Sequence, residues 1–255
     1  MDAAATLALF DAQLRRIDGQ PVGLVYRNAS PAGNWIVHSD LTADNADQVI
    51  AEQQEYFAGV GGPVEWKHYG YDQPADLPER LVAAGFVAEP TETLLVAEVG
   101  ELLAGPLAGA RLPEGVELVP VREPADFAAI VALQGAVWGD EWRSMGTGLA
   151  DEYAADPSAI SLFRAVAGEE TVCAAWIRFH AGTDFASLWG GTTLPHWRRR
   201  GIYRALVAHR ARLAADRGFR YLQVDATDDS RPILEKLGFV PLTTTTPYVW
   251  EPSTR

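Results

Sequence analysis

One run of the sequence combines a basic turn with a glycine, at the point where an apolar strand is predicted to give way to a helix. The strand is Phe185–Leu194, Pro195 ends it, and Arg198–Gly201 precedes a helix that extends to Arg217. At a helix start the first N–H groups have no intrahelical partner, and the helix dipole is positive there. A glycine lets the backbone approach an anion closely, and guanidinium groups match phosphate oxygens. These features predict a cradle for a diphosphate.

The distribution of charge favours the same chemistry. The chain has a formal net charge of −13, yet seven arginines fall within twenty residues, namely Arg198, Arg199, Arg200, Arg204, Arg210, Arg212 and Arg217. Binding a polyanionic cofactor requires such a local inversion of sign. The alternative for the last three arginines is that they form a solvated helix face, because arginine is a good helix former.

Two motifs in this region resemble the signatures of the GNAT acetyltransferase superfamily. Leu194-Pro-His-Trp-Arg-Arg-Arg-Gly-Ile-Tyr-Arg-Ala-Leu206 resembles the family's Arg-x-x-Gly-x-Gly/Ala turn, which opens a helix. Ile233-Leu-Glu-Lys-Leu-Gly238-Phe239 resembles the second motif, a short helix that ends in Glu-Lys-Leu-Gly-Phe. The motifs occur in the family's order, and the resemblance covers Val116–Trp250. It predicts an α/β (α+β) GNAT fold, with a central mixed, mostly antiparallel sheet flanked by helices.

The resemblance also implies a co-substrate, acetyl-CoA or another acyl-CoA. In this family the pyrophosphate binds the main-chain amides of the turn, and the pantetheine arm pairs with the preceding strand, here Gly191–Leu194. A main-chain amide of that strand polarises the thioester carbonyl. The acceptor amine then attacks directly, with no metal and no covalent enzyme intermediate. The cofactor-binding positions that the resemblance implies are Thr193, Leu194, Arg199, Arg200, Gly201, Ile202, Tyr203, Arg204, Ser230 and Leu234.

Two of these positions depart from the family pattern. Tyr203 stands where the family often has Gly or Ala, so its side chain must point away from the phosphates. Leu234 stands where many members carry a tyrosine that protonates the leaving thiolate, and leucine cannot donate a proton. A thiol pKa near ~8.5 allows a thiolate to leave without full acid help. Two functions therefore stay open: an N-acetyltransferase acting on a primary amine, or an acyl-CoA-binding pseudo-enzyme. A third, binding of nucleic acid or a protein tail through the cluster Arg198–Arg217, is opposed by the acidic remainder of the chain.

The sequence offers two acidic candidates for catalysis. Asp225 follows the predicted strand beside the thioester and could act as a general base through a water molecule. The alternative is that Asp225, together with Asp228 and Asp229, caps the helix at Arg231, since Asp is favoured at that end. Glu141 lies in the loop 138–145, which corresponds to the family's variable substrate-facing segment, and could contact a cationic amine. Trp138, Trp142 and Trp189 could line the acceptor pocket, although tryptophans are core residues about as often.

The two halves of the sequence share a pattern. Leu81-x-x-x-Gly85-Phe86-Val87 and Leu234-x-x-x-Gly238-Phe239-Val240 have the same spacing, as expected for a helix with a glycine cap followed by a strand. The Gly/Ala/Pro-rich stretch Gly100–Gly115 is interpreted as the boundary between them. We therefore predict two GNAT-like lobes. Residues 1–110 form a degenerate lobe without a cofactor site, and residues 113–255 form the acyltransferase domain.

Composition limits the remaining possibilities. The acidic balance argues against nucleic acid and anionic membranes as partners and is compatible with a cationic substrate. The resemblance implies a primary amine as acceptor, expected on a small molecule, and a protein amino terminus or lysine stays open as an alternative. The single cysteine, Cys173, excludes an internal disulfide and fits a cytoplasmic protein. The expected oligomeric state is a monomer or a homodimer. No apolar stretch approaches the ~20 residues that span a bilayer. The five histidines show no ligand spacing, so no metal site is expected.

Overall fold

A computed structural model describes residues 1–17, 19–30, 33–139 and 143–252, except for the side chains of residues 143–147. The helices are α1 Ala3–Gln13, α2 Ala46–Val60, α3 Leu77–Ala83, α4 Val99–Ala104, α5 Pro124–Trp138, α6 Arg143–Ala155, α7 Ile202–Asp216 and α8 Arg231–Lys236. The strands are β1 Gln20–Val22, β2 Val25–Ser30, β3 Gly33–Ser39, β4 Val64–Tyr69, β5 Val87–Ala88, β6 Glu92–Glu98, β7 Glu117–Pro120, β8 Ile160–Ala167, β9 Glu170–Phe179, β10 Phe185–Thr193, β11 Tyr221–Ala226 and β12 Val240–Trp250. None of the helices in these ranges has the length and apolar character needed to cross a membrane.

The chain divides into two compact units that are not contiguous in sequence. The first unit comprises Met1–Leu95, Asp225–Glu235 and Val240–Arg255, and the second comprises Val96–Val224 and Lys236–Phe239. This division differs from the predicted halves 1–110 and 113–255. The reason is that the last strand of the chain, β12, pairs with β4 and belongs to the first unit.

In the first unit, β1, β2 and β3 are antiparallel, β3 is parallel to β4, and β4 is antiparallel to β12. Helix α2 buries Ala46, Val49, Ile50, Gln53 and Phe57, which recur at the spacing of one helix face. That face packs with residues of β3 and β4, including Ile36 and Trp66, in one hydrophobic core. The α2 crossover is what permits the parallel pairing of β3 with β4.

In the second unit, β7 to β10 form an antiparallel meander, and β10 is parallel to β11. Alternate residues of β9 face opposite sides of the sheet. Ala174 and Trp176 pack in the core that includes α5, whereas Cys173 and Ala175 pack in the core that includes α7. Cys173 is buried, as its setting in the strand predicts, and burial raises the pKa of its thiol to about 11.

Both units contain the same strand–helix–strand arrangement. In each, a strand that is antiparallel to its predecessor (β3 or β10) pairs in parallel with the strand after a long helix (β4 or β11). The parallel register has only three residue pairs in each case, residues 34–36 with 64–66 and residues 185–187 with 221–223. Beyond them the paired strands separate. This repeated geometry supports the duplication that the sequence pattern predicts.

Several predicted elements are corrected. The apolar residues of Val22–Arg27 predict one strand, but the structure has a hairpin of β1 and β2 there, which turns at Gly23 with φ 60°. The stretch Gly100–Gly115 is not free of regular structure, because α4 enters it and buries Leu102. Helix α6 has no counterpart in the sequence-based prediction. The last strand has eleven residues, so the threonine run 243–246 lies within a paired strand.

Candidate active site

The basic turn has the backbone conformation that an anion cradle needs. One turn of 3-10 helix, Pro195–Trp197, follows β10, and Arg199 and Gly201 then adopt positive φ values of 63° and 83°. Helix α7 begins at Ile202, with Gly201 at its N-cap and no side chain bonded to that end. The main chain of Ala205 donates to Gly201, so the N–H groups of residues 202–204 precede the first complete turn. A Cβ at Gly201 would meet no atom within 4 Å, so the approach to these amides is open.

The arginine side chains around this turn have different partners. The Arg198 Nε donates to the carbonyl of Thr193 at 3.1 Å, and the Arg204 Nε donates to the carbonyl of Pro106 at 3.1 Å. The Arg200 guanidinium lies over the ring of Trp197, 4.5 Å from its centroid. Arg199 is exposed. Arg199 and Arg200 are therefore the side chains best able to reach a bound anion, whereas Arg204 offers its main-chain N–H.

The cluster of seven arginines does not act as one phosphate-binding group. Arg217 donates to the carbonyl of Ser158 at 2.6 Å and covers the ring of Phe179. Arg210 is buried, with 2% of its surface exposed, and it bonds main-chain carbonyls inside the second unit. Neither sequence-based interpretation of Arg210, a cofactor contact or a solvated helix face, is correct. Both overlooked that its side chain points inward from α7.

Strand β10 carries a bulge next to the basic turn. Gly190 lies opposite Ala175 and Thr192 lies opposite Ala174, so Gly191 is an extra residue with no partner on β9. Gly190 and Gly191 have φ values of 69° and 90°. Apart from Gly191, residues 188–193 pair with β9 but not with β11, whose parallel register ends at Ser187 and Gln223. The bulge therefore lies on a free strand edge, where a main-chain amide can serve as an oxyanion donor.

Two aromatic rings lie close to the glycines of the bulge. A Cβ on Gly190 would lie 2.5 Å from Cζ3 of Trp176, and a Cβ on Gly191 would lie 2.5 Å from Cε2 of Tyr203. The ring of Tyr203 is therefore directed at β10, and burial raises the pKa of its hydroxyl. This packing explains how a tyrosine is accommodated at a position where the family often has Gly or Ala.

Polar groups of Leu194 and Thr193 form hydrogen bonds within the protein. The Leu194 N–H donates to the carbonyl of Val172 at 3.0 Å, so it is not available to pair with a pantetheine arm. The Thr193 hydroxyl donates to the Cys173 sulfur at 3.2 Å. Ile202 is buried, so only its main chain can contact a cofactor. Leu234 is completely buried, and the Ser230 hydroxyl is bonded to Thr227.

The bulge also places two exposed tryptophans on one face of β10. Trp189 is opposite Trp176 and Thr192 is opposite Ala174, so these two positions of β10 share a face although they are three residues apart. The Trp189 indole N–H donates to the Ser187 hydroxyl at 2.7 Å, and the Trp138 indole N–H donates to the Thr192 hydroxyl at 3.1 Å. The two side chains are 40% and 51% exposed, so neither is a core residue. Trp142 and Glu141 lie outside the described residues.

Asp225 lies in a polar cluster of the first unit. Its Oδ2 accepts from the Lys67 ammonium at 2.6 Å, and its Oδ1 accepts from the Thr245 hydroxyl at 3.3 Å. Both oxygens are engaged in these contacts, and the Arg231 N–H at the start of α8 donates to the carbonyl of Thr227. The capping alternative is therefore wrong for Asp225. A role as general base stays a prediction, and in that role Asp225 would have to release Lys67.

Glu92 is a second carboxylate of this cluster, and nothing in its sequence neighbourhood marks it as a candidate. Burial, with contributions from Asp225 and Glu65, raises the pKa of Glu92 to about 7, although Lys67 lowers it. Burial also raises the pKa of Glu65. The only signal in the sequence is that acidic residues interrupt otherwise apolar strands, and that pattern does not reveal which strands lie side by side.

The raised pKa predicts a pH-dependent stability for Glu92→Gln. A carboxyl that titrates near 7 when folded and near ~4.3 when unfolded keeps a proton that the unfolded chain releases, so stability falls as pH rises between these values. Relative to wild type, the variant should therefore gain about 2 kcal/mol of unfolding free energy between pH 5 and pH 8, allowing for partial exposure. Urea unfolding at both pH values measures this gain. Glu55→Gln, at an exposed position, should change stability by less than ~0.5 kcal/mol at both pH values. An equal effect of Glu92→Gln at both pH values would contradict the burial of this group.

In the first unit, side chains fill the place where the parallel strands separate. The Arg15 guanidinium pairs with Asp72, at 2.7 Å, and lies over the ring of Tyr69 at the end of β4. Arg16 lies 3.0 Å from the Nε2 of His38, near the end of β3. Residues 40–45, which connect β3 to α2, contain no arginine. The first unit therefore has no basic turn like Arg198–Gly201 before α2, and the absence of a cofactor site from this unit stays a prediction.

Comparisons with known proteins agree with this geometry. Residues 125–239 match the family model described as "Acetyltransferase (GNAT) family". No curated protein sequence matches the chain. Among solved structures, a GCN5-related N-acetyltransferase from Kribbella flavida aligns with a TM-score of 0.68 at 19% identity, over 99% of this chain and 96% of that one. A functionally unknown conserved protein from Staphylococcus epidermidis aligns with a TM-score of 0.69 at 16% identity, over 95% and 97% of the two chains.

A third solved structure is a tandem GNAT protein from the clavulanic acid biosynthesis pathway, with a TM-score of 0.59 at 12% identity over 91% of this chain and 79% of that one. At such identities the structural likeness establishes the fold, and it extends over both units. The predicted mixed sheet flanked by helices in two GNAT-like lobes is confirmed. The sequence match shows that residues 125–239 form a GNAT acetyltransferase domain.

Proposed function

We propose that this protein transfers an acetyl or short acyl group from acyl-CoA to the primary amine of a small molecule. The observation that carries the proposal is the arrangement at the end of β10. There a bulge on a free strand edge is followed by an uncapped helix start with exposed arginines. The first feature suits a thioester carbonyl and the second suits a diphosphate. Both lie within ten residues of one another in the segment that matches the family.

The residues present fit an acyl-CoA co-substrate. The N–H groups of residues 202–204 would hold the diphosphate, with Arg199 and Arg200 adding charge. The free edge of β10 would align the pantetheine arm, and an amide of the bulge would stabilise the oxyanion. Attack of the neutral amine forms the N–C bond and breaks the C–S bond, and the amine loses its proton to water or to a base.

The leaving thiolate would be protonated from solvent, because the residue at the family's usual acid position is Leu234. This leucine is fully buried and has no proton to give. A thiol pKa near ~8.5 makes departure as a thiolate feasible near neutral pH. For the base, Asp225 is one candidate, although Lys67 holds one of its oxygens. Glu141 is the other candidate carried by the sequence.

The acceptor site is proposed to include Trp138, Trp142 and Trp189. Two of these, Trp138 and Trp189, are held on one face of β10 by hydrogen bonds from their indole nitrogens, and both remain substantially exposed. Exposed, oriented indole rings suit an acceptor that joins an apolar body to a cationic amine. We propose a cytoplasmic enzyme, monomeric or homodimeric, with no nucleic acid or membrane partner.

A second candidate function is a pseudo-enzyme that binds acyl-CoA without transferring the group. The burial of Leu234 and the pairing of Asp225 with Lys67 favour it, because both remove proton-transfer groups. Incubation with acetyl-CoA and a panel of amines, followed by thiol release, separates the two functions. Calorimetry should give one equivalent of acetyl-CoA per chain. Binding without thiol release above background supports the pseudo-enzyme, and two equivalents would contradict the degenerate state of the first unit.

A further inference from the structure

Arg210 is a buried cation without an anionic partner. It lies on the inner face of α7, and its Nε donates to the carbonyl of Leu206 at 3.1 Å. Its Nη1 donates to the carbonyls of Trp176, at 3.1 Å, and Trp189, at 3.0 Å. No carboxylate of the described residues forms an ion pair with it. Burial lowers the pKa of its guanidinium, and only Tyr203 and Cys173 oppose that effect.

Stability alone does not explain an arginine at this position. Burying an ion costs several kcal/mol even after relaxation, and well-packed apolar side chains in place of buried ions are often neutral or stabilising. The inward neighbours of Arg210 on α7 are apolar, Leu206, Val207 and Ala211 among them. What an apolar residue could not supply is a pair of donors that reach the strands beneath the helix.

One of the two carbonyls that share Nη1, that of Trp189, belongs to the peptide that leads into the bulge. Trp176 and Trp189 are direct partners in the register of β9 and β10, and Gly190 follows Trp189. A trans peptide is planar, so the carbonyl of Trp189 and the N–H of Gly190 point in opposite directions from one rigid unit. Fixing that carbonyl from the α7 side therefore fixes the direction of the amide on the other side. Hydrogen bonding to a cation also polarises the peptide and strengthens its N–H as a donor.

We infer that Arg210 is a positioning residue that orients and polarises the peptide leading into the β10 bulge, so that the bulge presents a strong amide donor to the thioester carbonyl. This inference rests on the proposed function. It gives Arg210 a role at the acyl group, separate from the diphosphate cradle at the start of α7. Loss of Arg210 should therefore weaken thioester polarisation while leaving cofactor affinity nearly unchanged.

The test is infrared difference spectroscopy of acetyl-CoA labelled with ¹³C at the thioester carbonyl, bound to the full chain without acceptor. In the wild type the carbonyl band should move to lower frequency than that of free acetyl-CoA. In Arg210→Gln, which keeps donors but removes the charge, most of this shift should disappear. Arg210→Lys keeps the charge but loses the Nε donor that bonds the carbonyl of Leu206 and holds the side chain in place, and it should give an intermediate shift. Thiol release to an amine should fall by roughly 10- to 100-fold in Arg210→Gln, less than the loss of a direct oxyanion donor.

Controls separate this role from a structural one. Arg217→Gln removes another arginine of the same helix that also donates to a main-chain carbonyl, and it should leave the band unchanged. Calorimetric affinity for acetyl-CoA should stay within about threefold in both Arg210 variants, since the cradle is intact. A wild type that binds acetyl-CoA with an unshifted band overturns the inference without any variant, as does a shift retained in Arg210→Gln. A wild type that does not bind acetyl-CoA overturns the proposed function, and the inference with it.

Discussion

Gly201→Glu is expected to weaken acetyl-CoA binding about a thousandfold, because it places a carboxylate where the diphosphate should lie. Hydrogen bonds to charged groups contribute about 1.5–3 kcal/mol each, so losing two of them accounts for roughly this factor. The substitution should not unfold the domain, since a Cβ at Gly201 meets no atom within 4 Å. Its structural cost is the strain of a side chain at φ 83°, about 1 kcal/mol. Isothermal calorimetry and urea unfolding measure the two effects separately.

Gly218 provides a matched control at the other end of the same helix. Its φ is 82°, and a Cβ there also meets no atom within 4 Å, so Gly218→Glu carries the same strain and the same charge. It should change acetyl-CoA affinity by no more than about twofold, because the helix separates it from Gly201 by more than ~20 Å. Arg199→Glu should also abolish binding, since it reverses a charge at the turn. Equal affinities for the Gly201 and Gly218 variants would rule out the cradle.

Gly191→Ala is expected to reduce transfer by about a hundredfold, the scale of losing one oxyanion donor. The new Cβ would lie 2.5 Å from Cε2 of Tyr203, and the residue has φ 90°, so the bulge must shift to accept it. The variant should also lose about 2 kcal/mol of unfolding free energy, from clash and backbone strain together. Thiol release during transfer, expressed as kcat/KM, and denaturant unfolding measure the two losses.

A second substitution tests whether the clash is the cause. Tyr203→Ala removes the ring that opposes Gly191, so Gly191→Ala with Tyr203→Ala should recover part of both losses, leaving the strain of the positive φ. Gly168→Ala serves as the control, because Gly168 has φ 60° with no atom within 4 Å of a Cβ and lies in the turn between β8 and β9. It should lose stability but not activity. Strictly additive effects in the double variant would show that Tyr203 does not constrain the bulge.

Much of the second unit could be predicted from its sequence because its signals are local. The strand ending before Pro195, the positive-φ glycine and the helix that follows depend on neighbouring residues, and the structure has all three. The candidate tryptophans could also be predicted from the sequence. The bulge that brings Trp189 and Thr192 to one face could not. A bulge changes the alternation of a strand by one residue, and the glycines alone did not reveal where it falls.

The other differences arise from contacts between distant parts of the chain. The alternatives for Asp225 were weighed from its neighbours in sequence, yet its main partner, Lys67, lies 158 residues away. The predicted halves were contiguous because composition changes at Gly100–Gly115, whereas the compact units follow strand pairing. In the sequence, Arg210 is one of several arginines in a predicted helix, and only the fold shows that its side chain faces inward.

The sequence by itself determined the fold family and the place where a diphosphate is expected to bind, because motif order, a helix start and a glycine turn are written in consecutive residues. The tertiary structure decided which amides are free, which arginines are buried and which carboxylates share a cluster. Those properties depend on burial and on partners far apart in the chain, and a charge or a donor acquires its chemistry only from the groups that surround it.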